Sequence, residues 1–154
     1  MIDDTDRRIL AILQKDARTA NAEIARQVGM APSAILERVR KLEEKGVIRE
    51  YVARLDPAVL DRGLLAFVFV RSDERIGDVK TADEIQKIPG VLEVHHIAGE
   101  DCYMVKVRAR DTDTLGRLLR ERFGAIPTIR STRTTIVLGT TKESTTLPIE
   151  NGRG

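Results

Sequence analysis

Between Val28 and Ser33 the chain reads V-G-M-A-P-S, and this junction limits what can surround it. A glycine tolerates the left-handed backbone of a sharp helix exit. A proline suits the first residue of a new helix, where a backbone N–H would have no partner. Apolar residues at helical spacing flank both sides. The spacing predicts a helix over Asn21–Val28, with Ile24, Ala25 and Val28 inward. A second helix should run from Pro32 to about Lys45 and stop at Gly46, with Ile35, Leu36, Val39 and Leu42 as its core stripe. Upstream, Met1–Asp16 reads as a helix capped by Asp3, with Asp4 and Asp6 at the positive end of its dipole and Ile9, Leu10 and Leu13 inward. Three short helices with a tight turn before the third outline a helix-turn-helix, whose last helix enters the major groove of DNA.

The residues available for that contact follow from the helix. Ser33, Ala34, Glu37 and Arg38 lie in its first turns, where base edges are met. Arg38 can pair with guanine or clamp a phosphate. Arg40 and Lys41 are placed for backbone contacts. The bland alternative is a three-helix bundle with a solvated charged face. Arg38, Arg40, Lys41 and Lys45 stand against Glu37, Glu43 and Glu44, which dilute the basic charge. The whole chain has 26 basic and 24 acidic residues, so a nucleic-acid partner must be argued from where the charges sit.

After residue 46 the texture changes. Val47–Leu55 is apolar, β-branched and partly alternating, which predicts a strand. The expected division is a DNA-binding domain at 1–55, a linker at 56–63, a second domain at 64–140 and a tail at 141–154. Within the second domain, Leu64–Val70 reads as a buried strand. Asp78–Ile88 reads as a helix with Val79, Ile85 and Ile88 inward, stopped by Pro89-Gly90. Val91–Ala98 and Cys102–Ala109 read as strands around a Gly99-Glu100-Asp101 turn. A helix capped by Asp111 carries Leu115, Leu118, Leu119 and Phe123 and closes at Gly124, and a strand follows at Ile129–Leu138. The order β-α-β-β-α-β is the ferredoxin-like arrangement, so the fold class is α+β. Two helices cover one face of such a sheet, and the open face invites a partner. The last residues, NGRG, read as a mobile end.

Several chemistries lack the residues they require. No apolar run approaches the ~20 residues that span a bilayer. The start MIDDTDRR lacks the basic and apolar regions of a leader, and the single cysteine suits a reducing compartment, so a cytoplasmic protein is expected. His95 and His96 are adjacent on a strand and point to opposite faces, so they cannot chelate one ion and no metal is expected. Cys102 beside Glu100 and Asp101 has neighbours that disfavour a thiolate. No catalytic constellation and no cofactor motif is present, which argues against an enzyme, because a fold alone specifies no chemistry. The Gly99-Glu100-Asp101 turn could hold the zwitterionic end of an amino acid, although acidic glycine turns are common as plain β-turns.

Taken together, IDDTDRRILAILQKDAR, AEIARQVGM-PSAILERVRKLEEKGVIREYVARLDP, GVLEVHHIAGEDCYMVKV and STRTTIVLGTTK with TTLPI resemble the Lrp/AsnC family of leucine-responsive, or feast-famine, transcriptional regulators. The likeness covers nearly the whole chain in order. It implies an N-terminal winged helix-turn-helix and a C-terminal ligand-binding αβ sandwich. It also implies double-stranded DNA as partner, dimers formed through the open sheet and often assembled into octamers, and a small effector, usually an amino acid, held between subunits near the hairpin. Gly99, Glu100, Asp101, Cys102 and Thr134 are the effector positions the resemblance carries over. Two departures stand out. Ala31 occupies the position where the family usually has a capping serine. Cys102 stands at the second acid of the family's Gly-Asp-x-Asp hairpin, with Asp101 at the intervening position. The alternative is an architectural DNA-binding protein of the same fold that answers to no effector.

Overall fold

The computed structural model describes residues 1–150. The NGRG end, expected to be mobile, lies outside the described residues. The chain forms two compact units, Met1–Arg54 together with the tail from Lys142, and Leu55–Thr141.

In the first unit α1 spans Asp4–Lys15, α2 Asn21–Val28 and α3 Pro32–Glu44. The start of α1 is fixed by a reciprocal cap. Asp6 N–H donates to the Asp3 carboxylate at 2.8 Å, and Asp3 N–H donates to the Asp6 carboxylate at 3.1 Å. Gly29 ends α2 at φ 81°, with its N–H on the Ala25 carbonyl at 2.8 Å. The left-handed turn that the sequence demanded is present. α3 begins at Pro32 without a side-chain cap from Ala31. Ile9, Ile24, Ala25, Ile35, Val39 and Leu42 form the core. Burying each of the isoleucine, valine and leucine side chains among them contributes about 1.5–3 kcal/mol.

Leu36 departs from its expected place. It is 57% exposed. The buried positions are Ile35, Val39 and Leu42, and a residue following Ile35 turns about 100° away from that line.

The strand expected at Val47–Leu55 does not form. Val47 and Ile48 spend their N–H groups on the Leu42 carbonyl, closing α3, and Ile48 packs on the helical core. Beyond them Tyr51, Val52 and Leu55 are exposed. No other strand lies in this unit among the described residues, so the extended segment has no ladder to join. The tail, set apart in the sequence, belongs to this unit. The Gln14 side-chain amide donates to the Leu147 carbonyl at 2.9 Å and accepts from its N–H at 2.8 Å. Arg54 pairs with Glu143 at 3.0 Å.

The second unit has β1 at Leu64–Ser72, α4 at Lys80–Ile85, β2 at Val91–His96, β3 at Tyr103–Ala109, α5 at Thr112–Leu118 and β4 at Ile129–Ile136. A π-type turn, Leu119–Phe123, continues α5. The sheet order is β2-β3-β1-β4 and every pairing is antiparallel. The residues just before β1 form a turn in which Arg62 N–H reaches the Pro57 carbonyl at 2.7 Å. Ala66, Val68 and Val70 of β1 meet Val107, Val105 and Tyr103 of β3 on the covered face. Ile85, Leu115 and Phe123 complete that core. Phe67, Phe69, Met104 and Lys106 alternate to the other face and are only half-buried.

α4 is shorter than expected, and Val79 is 57% exposed instead of inward. Thr81 and Ile85, one helical turn apart, take the inward positions. Thr81 is fully buried and shares a hydrogen bond of 2.6 Å with Thr128. The Glu74 carboxylate accepts from Thr81 N–H and, at 3.0 Å, from the Tyr103 hydroxyl. Desolvation works to raise the Glu74 pKa, but these bonds outweigh it and hold the carboxyl below its ordinary value. Gly90 sits at φ 92°, and a Cβ there would meet the Arg108 carbonyl at 2.8 Å.

Burial, followed by the Glu74 contact, pushes the Tyr103 hydroxyl from 10.0 up to about 12. Between those values the unfolded chain has lost this proton and the folded chain keeps it. Rising pH therefore favours unfolding across that window. Denaturant titrations should show stability falling from about pH 10 to about pH 12. Y103F should fall less steeply. Tyr51, also held at about 12 by burial and by Glu43, keeps its own share, so the difference between the two profiles is what counts. Identical profiles would contradict the assignment.

Candidate nucleic-acid interface and effector hairpin

α3 presents its outward side as a self-paired ladder. Arg40 donates to Glu37 at 2.8 Å and also pairs with Glu44 one turn on. Lys41 lies 3.4 Å from the same Glu37 oxygen. Both basic groups expected to meet the DNA backbone are thus shared with acids of their own helix. The Arg40 partnership holds Glu37 below its ordinary pKa and raises that of Arg40. Each pair is solvent-exposed, so exchanging it for a phosphate costs little. Ser33 lies in the first turn of this helix, and Ala34 follows it.

Arg38, expected to pair with guanine or clamp a phosphate, is tied to the start of α1. Its Nη1 donates to Asp3 at 2.8 Å and to Asp6 at 2.8 Å. Its side chain is 31% exposed. The hydrogen bonds it donates to Asp3 and then to Asp6 raise its pKa further, and Asp3 is lowered by the Asp6 N–H first and by Arg38 second. The sequence marked Asp3 as a cap and Arg38 as a DNA contact. It gave no sign that the two ends of the unit meet, because the contact joins residues 35 apart.

In the second unit the hairpin after β2 turns at Gly99, φ 149°, and is closed by Ile97 N–H on the Cys102 carbonyl at 3.0 Å. Its two acids each face an arginine. Asp101 accepts from Arg133 of β4 at 2.8 Å. Glu100 lies 3.7 Å from Arg71 of β1 and accepts from Arg71 Nε through its backbone carbonyl at 3.3 Å. The Arg133 guanidinium also stacks 4.3 Å over the Phe69 ring. Phe69 and Arg133 are register partners on the open face, so the Asp101 carboxylate belongs to that side.

Cys102 is drawn the other way. Its N–H bonds the Val70 carbonyl at 2.8 Å, and its Sγ lies 3.5 Å from Ser72 N against the covered core. Thr134 pairs with the fully buried Val68 and lies on that covered side. The sheet thus separates Thr134 from the Asp101–Arg133 pair, while Gly99, Glu100 and Asp101 stay together. Arg133, Arg71 and Phe69 were not singled out from the sequence. Arg71 near the end of one strand and Arg133 within another, both able to reach an acidic turn, were the available signal.

Comparison with known proteins places both units. A family model described as the Lrp/AsnC ligand binding domain matches residues 65–147. Another, described as winged helix-turn-helix DNA-binding, matches residues 2–49. The chain belongs to the Lrp/AsnC family. The HTH-type transcriptional regulator FL11 of Pyrococcus horikoshii is 38% identical over 150 residues, 97% of each chain. The structure of AsnC from Escherichia coli superposes with a TM-score of 0.89 at 30% identity, covering 96% of this chain and 99% of that one. A feast or famine regulatory protein from Mycobacterium tuberculosis, solved with L-methionine, gives 0.89 at 31% identity, covering 97% and 100%. The present Lrp/AsnC chain is accordingly a DNA-binding transcriptional regulator of α+β fold. Its wing position, after α3, is an extended segment without a strand partner.

Glu37 is the acid that restrains two cations of α3. E37Q should bind random-sequence duplex more tightly than the unmodified Lrp/AsnC chain, with a steeper salt dependence, by up to about 0.9 in slope per cation released. Fluorescence anisotropy against salt concentration measures this. An unchanged slope would place Arg40 and Lys41 away from the DNA.

Proposed function

We propose that this regulator binds specific operators as a homodimer and that an amino acid bound at the Gly99–Asp101 hairpin tunes its assembly. Residues 1–55 serve as the DNA-binding part, 56–63 as the linker and 64–140 as the ligand-binding and assembly part, with 141–154 as tail. The regulator works in the cytoplasm. The observation that carries the reading is the open side of the sheet. Phe67, Phe69 and Met104 are only half covered there, and the hairpin's acids and arginines lie at its margin. Pairing two such faces buries the aromatic side chains and brings two hairpins to an interface. Dimers that assemble further, to octamers, present several recognition helices to one DNA. The L-methionine complex of the mycobacterial relative supports an amino acid as the ligand class. A ligand at such an interface shifts only those assemblies that it binds differentially.

A second reading, a regulator without an effector, is favoured by the Asp101–Arg133 pair, which already satisfies the acid an effector's ammonium would use. One experiment separates the two. A thermal-shift series with the twenty amino acids should reveal at least one that raises the melting temperature, because ligand binding to the folded state adds stability with occupancy. D101N should abolish that shift while keeping the ligand-free melting temperature. No shift with any amino acid would select the second reading, and a full shift in D101N would move the pocket elsewhere.

A further inference from the structure

Asp3 and Asp6 use all four of their carboxylate oxygens. One oxygen of each closes the α1 cap. The other of each receives Arg38 Nη1. A guanidinium carries five N–H donors in a rigid planar fork. Nη1 supplies two of them, and both are taken. The three on Nε and Nη2 have no hydrogen-bond partner among the described residues. Nε–H and one Nη2–H point side by side along one edge of the fork, and such an edge matches two oxygens of a phosphate.

Arg38 also lines a cleft of about 460 Å³, together with Asp6, Met30, Glu37, Lys41, Leu42 and Lys45. Two lysines, one of them 3.4 Å from Glu37, thus border the same cleft as Arg38. Arg38 is anchored at its tip, whereas Arg40 is held by exposed acids of its own helix. Its orientation is therefore set before any DNA arrives, so little is lost when a further bond forms.

We propose that Arg38 grips a backbone phosphate of DNA through its Nε and Nη2 edge, and that Asp3 and Asp6 are positioning residues that aim it. The proposal rests on the DNA-binding reading and assigns this arginine to register on the duplex, with base choice left to its neighbours. It also reverses a naive electrostatic expectation. Removing an acid beside DNA should tighten binding if the acid only repels. Removing an acid that aims an arginine should weaken it.

The test uses the full chain and two duplexes, one selected by the unmodified protein from a random-sequence pool and one with the same bases shuffled. Binding of the unmodified protein, R38Q and D6N is measured across a salt series, with melting temperatures confirming that each is folded. R38Q should weaken both duplexes by the same factor, with the slope of log K against log salt shallower by about 0.9. D6N should weaken both as well. If D6N does not fold, D3N carries the same comparison from the more exposed acid. An R38Q protein with an unchanged slope and a lost preference at one base pair would make Arg38 a base reader and overturn the proposal. Unchanged binding would make it a brace only, and tighter binding by the aspartate variants would leave the acids as mere repulsion. An unmodified protein that binds neither duplex at low salt would remove the DNA-binding reading itself, a distinct failure.

Discussion

Two carboxylates, Asp3 and Asp6, tie the first turn of α1 to the middle of α3 through Arg38. The positions of α2 and its turn follow from that tie and from the shared core of Ile9, Ile24 and Ile35. A bundle of three short helices has little buried surface to hold its angles. A fixed arginine between first and last helix supplies orientation where apolar packing alone is permissive. The same tie decides which cation on α3 is rigid and which are loosely paired.

Charge balance then sets what the first unit can do alone. Arg40 and Lys41 begin their encounter with DNA already partnered by Glu37. Glu37, Glu43 and Glu44 also nearly offset Arg38, Arg40, Lys41 and Lys45, so the helix brings little net charge to the electrostatic term that drives most non-specific affinity. A single copy is expected to bind weakly, and the second unit answers this weakness on the proposed assembly. Its sheet is half-finished as a surface, covered by α4 and α5 on one side and bearing Phe67 and Phe69 on the other. Joining two copies there presents two recognition helices together, and the second contact becomes intramolecular.

Local signals carried much of this. Gly29 and Pro32 marked the turn, Asp3 and Asp111 marked caps that the structure contains, and the β-α-β-β-α-β order announced a sheet covered on one side. Signals that depend on a partner failed. Val47–Leu55 has the composition of a strand, but composition cannot supply a neighbour for its backbone. Leu36 sits beside the buried line of α3 and Val79 just ahead of α4, where a one-residue shift moves a side chain from core to solvent. The candidate site was legible as a set of positions and not as pairings. Asp101 with Arg133, and Asp3 with Arg38, each join residues more than thirty apart, and nothing local announces them.

The central claim is that a nearly charge-balanced recognition helix becomes effective only when presented in a symmetric pair. Its most direct test compares affinities for duplexes carrying one half-site, two half-sites a full helical turn apart, and two half-sites displaced by a further half turn, about five base pairs. The account predicts tight binding to the in-phase pair alone, with the displaced pair no better than the single half-site. Equal affinity for all three would contradict it.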